Sequence, residues 1–229
     1  MIKKILNSLL ISSVVVFFGF TAANANGISA GISLAGGIFT ASGTETEDGE
    51  NNTLSGQEMA TAIPEVFIEV NMDMASVGIS YVPVDYEAEE SRIDTICATC
   101  GMNAGEASQP TTTDVGESHA KAEFSDLITL YAEVPLADSG AYAKIGARRV
   151  SVASKENLHT GSSYGDIDLN GYIVGLGYRA DAGDAFFKVE ATYSDFEDFE
   201  MTAAGNTANK IKGTEFNGAE LRFAVGKSF

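Results

Sequence analysis

Ala219-Glu-Leu-Arg-Phe-Ala-Val-Gly-Lys-Ser-Phe229 is the stretch whose reading decides the fold. Successive side chains of a strand point to opposite sides. Leu221, Phe223, Val225 and Phe229 therefore share one face, and Glu220, Arg222, Ala224 and Gly226 share the other. A soluble barrel turns its apolar face inward. A strand that keeps an acid and a base inside and Leu, Phe and Val outside makes sense only where the outside is lipid.

The same alternation recurs upstream. Eight strands are expected, at 27–42, 63–72, 77–86, 119–135, 141–153, 167–179, 185–201 and 212–229. In the second, Val66, Ile68, Val70 and Met72 oppose Glu65, Phe67, Glu69 and Asn71. In the fourth, Ala122, Phe124, Ile128, Leu130, Ala132 and Val134 oppose Lys121, Glu123, Ser125, Thr129, Tyr131 and Glu133, and Asp126 interrupts the apolar face. The Gly36-Gly37 pair suggests a bulge or a change of phase in the first strand, and out-of-phase Arg149 suggests a bulge or the membrane edge in the fifth. Collected over all strands, the polar face holds Glu65, Glu69, Lys121, Glu123, Glu133, Lys144, Arg148, Arg179, Lys188, Glu190, Glu220 and Arg222. Acids and bases on facing walls are expected to pair inside the barrel, because lone buried charges are costly.

The connections alternate in length. Segments 73–76, 136–140 and 181–184 are tight turns, whereas 44–60, 87–118, 154–166 and 203–211 are polar stretches that read as loops. Short turns at one end and long loops at the other are the asymmetry of bacterial outer-membrane barrels. The expected fold is all-β, an eight-stranded antiparallel up-and-down transmembrane β-barrel. Its even strand count puts both chain ends on the periplasmic side.

The N-terminus fits export. Lys3 and Lys4 precede an uncharged, apolar run to Phe20, and Ala23-Asn24-Ala25 is a small-x-small cleavage site. The apolar run is short for a spanning helix, which takes about 20 residues. Residues 1–25 are read as a signal peptide and 26–229 as one barrel domain. The formal charge is −18, and without Lys3 and Lys4, the only charges of the leader, it becomes −20. So acidic a chain argues against nucleic-acid binding, which needs Lys and Arg to neutralise phosphates.

Chemistry-bearing motifs are sparse. Cys97 and Cys100, in Cys-Ala-Thr-Cys, are read as a disulfide staple in a loop, ahead of a redox motif or half a zinc site. His119 beside Ser118, and His159 near Ser162 and Ser163, are the only material for a lipid-modifying enzyme. The acidic run 45–50 lacks the spacing of a calcium loop. The expectation is therefore no catalytic residues, no metal, no cofactor and no enzymatic activity.

The terminal strand, with its alternating apolar residues and final Phe229, resembles the C-terminal strand of bacterial outer-membrane proteins, departing from it at Lys227. Gly171-Tyr-Ile-Val-Gly-Leu-Gly-Tyr178 is similar to strands of OmpA-like and opacity-type barrels. That resemblance implies that Leu221, Phe223, Val225 and Phe229 are the signal read by the barrel assembly machinery. It also implies a surface or structural role, with outer-membrane lipid and lipopolysaccharide as surroundings and a monomeric state. The alternatives are a narrow porin-like channel and, further off, a lipid A-modifying barrel. Eight strands enclose a lumen about wide enough to be filled by side chains, so a largely plugged interior is expected.

Overall fold

The computed structural model describes residues 27–47, 50–97, 113–136, 139–155, 163–204 and 207–229. The leader, Cys100 and His159 lie outside these residues, as does any pairing of Cys97 with Cys100. The chain forms ten strands: β1 (Gly27–Glu47), β2 (Glu50–Asn71), β3 (Ser76–Tyr81), β4 (Tyr86–Cys97), β5 (Thr113–Pro135), β6 (Ala141–Ser154), β7 (Ile167–Ala182), β8 (Ala185–Phe196), β9 (Phe199–Thr202) and β10 (Lys210–Ser228). Neighbours are antiparallel, and β10 pairs back onto β1 to close the sheet. β4 continues the stave begun by β3, and β9 continues that of β8. Ten strands thus make a ring of eight staves.

Closure runs from Ser29↔Ser228 to Thr46↔Lys210. The Phe229 amide donates to the Ile28 carbonyl at 2.8 Å, so both described chain ends lie at one rim. That rim also carries the tight turns, where Gly140 and Gly183 adopt φ of 89° and 67° that other residues disfavour. The outward face is a belt of exposed Ile28, Ile32, Leu34, Ile145, Val174, Leu176, Phe187, Val189, Phe223 and Val225. Leu176 is 62 % and Ile145 60 % exposed. Such a belt in water would be an extreme apolar patch; in a bilayer it is ordinary solvation.

The other rim departs from expectation. Two of the stretches read as loops, 44–60 and 87–118, are largely strand. β1 runs to Glu47, β2 begins at Glu50, and β4 and the start of β5 form a further hairpin. β1 and β2 contain 21 and 22 residues, twice the roughly 9–11 that a tilted strand needs to cross a bilayer. Their outer halves stand in water, where both faces are polar and no apolar alternation marks the strand. Hydrogen bonds between side chains brace this part, as from Thr46 to Asn51 at 2.7 Å.

The Gly36-Gly37 pair carries no bulge: Gly36↔Leu221 and Gly37↔Glu220 keep register, with Ile38 outside and Phe39 inside. The bulges lie further out. Asp126 and Glu215 are the two non-glycine residues of positive φ among the described residues, at 51° and 57°. The register of β5 against β6 slips between Ser125 and Ile128, and that of β10 against β1 slips between Thr214 and Asn217. Each extra residue inverts the faces of the strand beyond it, while Leu127 and Phe216 keep the inward parity of Thr129 and Gly218.

Glycines on the inward face seat aromatic rings from the facing strand. The register pairs Gly31 with Phe67, Gly78 with Tyr131, Gly171 with Phe196, Gly177 with Tyr142, Gly218 with Phe39 and Gly226 with Phe186. A Cβ at Gly78 would lie 2.5 Å from Cζ of Tyr131. Each ring therefore lies flat over a bare backbone, filling a narrow lumen without forcing the strands apart. Gly177→Ala should lower the unfolding free energy of the refolded barrel by about 1–3 kcal/mol in urea titrations, the usual cost of overpacking. Gly36→Ala, whose Cβ meets nothing within 4 Å on the outer face, should change it by less than about 0.5 kcal/mol.

Candidate functional site

The lumen is the most highly organised polar region of the molecule. Ten of the twelve charged residues read as interior meet there, drawn from β2, β5, β6, β7, β8 and β10. Arg148 on β6 is 2 % exposed. Its guanidinium forms a two-pronged pair with Glu220 of β10, one contact from Nη1 to Oε1 and one from Nη2 to Oε2 at 3.2 Å. It also donates to Ser194 Oγ at 2.7 Å and to Thr129 Oγ1 at 3.2 Å. Arg222 Nη2 donates to Glu65 and to Glu220, each at 2.8 Å. Arg222 Nη1 lies 3.7 Å from Glu190, which links this group to the next.

Glu190 accepts from Lys144 at 2.9 and 3.0 Å and from the Tyr142 hydroxyl at 2.7 Å. Lys144 also lies 3.4 Å from Glu133 and 3.8 Å from the centre of the Tyr131 ring. Lys188 bridges Glu133, at 2.6 Å, and Glu69. Tyr131 donates to Glu69 at 2.8 Å. Arg179, near the rim that carries the tight turns, reaches Glu69 at 3.9 Å and lies 3.9 Å from the centre of the Phe186 ring. One chain of ion pairs therefore crosses the lumen and descends it. Five acids (Glu65, Glu69, Glu133, Glu190, Glu220) meet five bases (Lys144, Arg148, Arg179, Lys188, Arg222), so the group is formally neutral.

Lys121 and Glu123 do not join it. The Asp126 bulge shifts the face of every residue above it, so Ala122 and Phe124 turn inward and Lys121 and Glu123 turn out. There Lys121 pairs with Glu87 at 2.7 Å and Glu123 pairs with Lys155. Arg149 is not itself a bulge. It stays in register with Asn170 and pairs with Asp168 at 2.6 Å on the outer surface.

Apolar layers flank the ionic one. Toward the outer rim, Phe216 stacks on Phe196 with centroids 4.8 Å apart and touches Phe39 and Phe124 at 6.4 and 5.6 Å. Ala35, Ile63, Val82, Val150, Val152 and Leu169 complete that plug. Toward the tight-turn rim, Phe67 and Phe186 meet at 6.2 Å. A cavity of about 10 Å³ remains amid the charges, room for about one water. Parity sets most of this plug on the inward face, with Phe39, Val150, Leu169, Phe196 and Phe216 in phase with the inward polar residues of their strands; Phe124 alone among its aromatic rings was hidden, because the bulge at Asp126 inverts the alternation there.

His119 lies in β5 with its backbone opposite Ser91. Cys97 ends β4 opposite Thr113. Among the described residues no three His, Cys, Asp or Glu side chains are grouped to hold a metal ion. Leu221, Phe223, Val225 and Phe229 are all exposed on the belt.

No family model and no curated protein matches the chain. Solved structures do. The outer membrane protease OmpT from Escherichia coli matches with a TM-score of 0.50 at 12 % identity, covering 90 % of this chain and 97 % of that one. Neisserial surface protein A matches at 0.38 and 12 %, covering 88 % and 99 %, and Ail, the attachment invasion locus protein of Yersinia pestis, at 0.32 and 13 %, covering 89 % and 99 %. The chain has the fold of an outer-membrane β-barrel. The sequence-based exclusion of enzymatic activity does not stand, because this architecture is shared with a protease. At 12 % identity the likeness is one of fold and carries no active-site residue across.

Removing one partner of a buried pair leaves a bare charge and costs about 3–5 kcal/mol. Arg148→Met should therefore destabilise the barrel by about that amount in urea unfolding. Adding Glu220→Gln should recover a large part of the loss, and two additive costs would disprove the coupling.

Proposed function

We propose that the chain is a surface-exposed outer-membrane barrel whose sealed lumen serves as a stabilising core and whose working face is the polar wall standing outside the bilayer. The observation that carries this reading is the filled interior. Ion pairs and two apolar layers occupy the lumen from rim to rim, while the strands continue far beyond the apolar belt. Nothing passes readily through such a core, but much is presented on top of it.

Export by removal of residues 1–25, assembly through the strand ending at Phe229, contact with lipopolysaccharide and a monomeric state belong to the same reading. So does kinship with the OmpA-like and opacity-type barrels, which rests on strand 171–178 and the terminal strand. The narrow-channel alternative is disfavoured, because ions would have to displace Arg148, Arg222 and Lys188 from their carboxylates.

Planar-bilayer recording of the refolded chain is the test. The expected trace is flat, without stable unitary steps. Regular large steps at modest voltage would establish a pore and defeat the sealed-core reading.

A further inference from the structure

The barrel wall parts at one place, and the sequence encodes the parting. β2 and β3 pair from Asn71↔Ser76 to Val66↔Tyr81. Two further steps of that register set Pro64 opposite Pro83. Neither residue has an N–H, so the ladder loses donors on both sides at the same level. Segment 82–85 leaves the ladder, and the Val82 amide donates to the Leu127 carbonyl instead, at 3.0 Å. Above that point β4 pairs with β5, from Tyr86↔Phe124 to Cys97↔Thr113. β2 pairs with β1, from Ile63↔Ala35 to Glu50↔Glu47. Among the described residues, each of these strands has one unpaired edge.

The two edges begin side by side. The Tyr86 hydroxyl spans the base of the seam and donates to the free Ala62 carbonyl at 2.8 Å. This bond caps an exposed backbone acceptor close to the lipid, where an unsatisfied group is most costly. Above it the seam stands in water, beyond the apolar belt of β1 and β5. Exposed strand edges are templates for another strand, and proteins commonly guard them with charge. Here the guard is mostly of one sign. By residue type, these two strand segments carry the acids Glu50, Glu58, Glu87, Glu89, Glu90 and Asp94 against one base, Arg92, and Lys121 of β5 pairs with Glu87 at 2.7 Å. A second copy of the chain would bring the same acids and be repelled. A cationic strand would be attracted, its backbone completing the ladder and its side chains meeting the carboxylates.

We propose that the seam between β2 and β4 is a strand-addition site for an extended, lysine- or arginine-rich peptide segment. The inference rests on the outer-face reading above only in placing the seam on the water side. Conductance tests that reading, and peptide binding tests this one.

The test uses the refolded mature chain in detergent micelles, with empty micelles as a blank, and a fluorescent twelve-residue peptide of alternating Lys and Thr. Saturable binding is expected, at least tenfold weaker when alternate peptide amides are N-methylated, and absent for a Glu-Thr peptide. Glu87→Lys/Glu89→Lys/Glu90→Lys, confirmed as folded by heat-modifiable gel mobility, should weaken binding at least tenfold. No binding of the Lys-Thr peptide, equal binding of its N-methylated form, or undiminished binding by the folded triple variant would each overturn the proposal.

Discussion

The constraint on which everything else depends is that hydrocarbon offers no hydrogen-bond partner. Each backbone N–H and C=O of a spanning strand must find its mate within the wall, and each charge turned from the lipid must find one within the lumen. The β1–β10 pairing answers the first requirement by abolishing the sheet edge. The five-to-five ionic group answers the second. Arg148 is its hub, because one guanidinium touches carboxylates or hydroxyls on β2, β5, β8 and β10 and so ties five staves together. A planar fork suits that role in a way that a lysine ammonium does not.

The same constraint sets where the rules relax. Inside the apolar belt the ladder is continuous and every inward glycine named above is matched to a ring. Outside it, the described wall tolerates three bulges, a break in the third stave and another in the seventh. Irregularity concentrates where water can satisfy a stray polar group. The rigid, sealed part and the adaptable, polar part are thus stacked along one axis, and recognition belongs to the second.

Much of this was legible in residue order. Strands in lipid obey a strict period of two, so Val66 to Val70 and Leu221 to Val225 declared their faces at once. The interior charges followed from the same parity, and they failed only at Lys121 and Glu123, where Asp126 in a left-handed conformation shifts the count by one. Parity cannot see a bulge whose residue is not glycine. It also cannot see a strand that is polar on both faces, which is why the outer ends of β1 and β5, the outer half of β2 and nearly all of β4 read as loops. Of the apolar outer plug, Leu127, Phe196 and Phe216 keep the inward parity of their strands, whereas Phe124 was hidden because it reaches the lumen only through the bulge at Asp126. The exclusion of an enzyme failed differently. It rested on missing motifs, and a barrel scaffold of this kind hosts catalysis in a chain that shares 12 % of its residues.

The central claim is that this barrel is inside-out relative to a soluble one, with lipid at its apolar face and a water-poor ionic core. Single spin labels along β8, in a chain with both cysteines replaced and reconstituted in vesicles, test it most directly. Labels at Phe187, Val189, Ala191 and Tyr193 should be relaxed by dissolved oxygen, while those at Phe186, Lys188, Glu190 and Thr192 should be shielded from oxygen and from a water-soluble nickel complex alike. Strong nickel accessibility at the second set, or no alternation between the sets, would contradict the account.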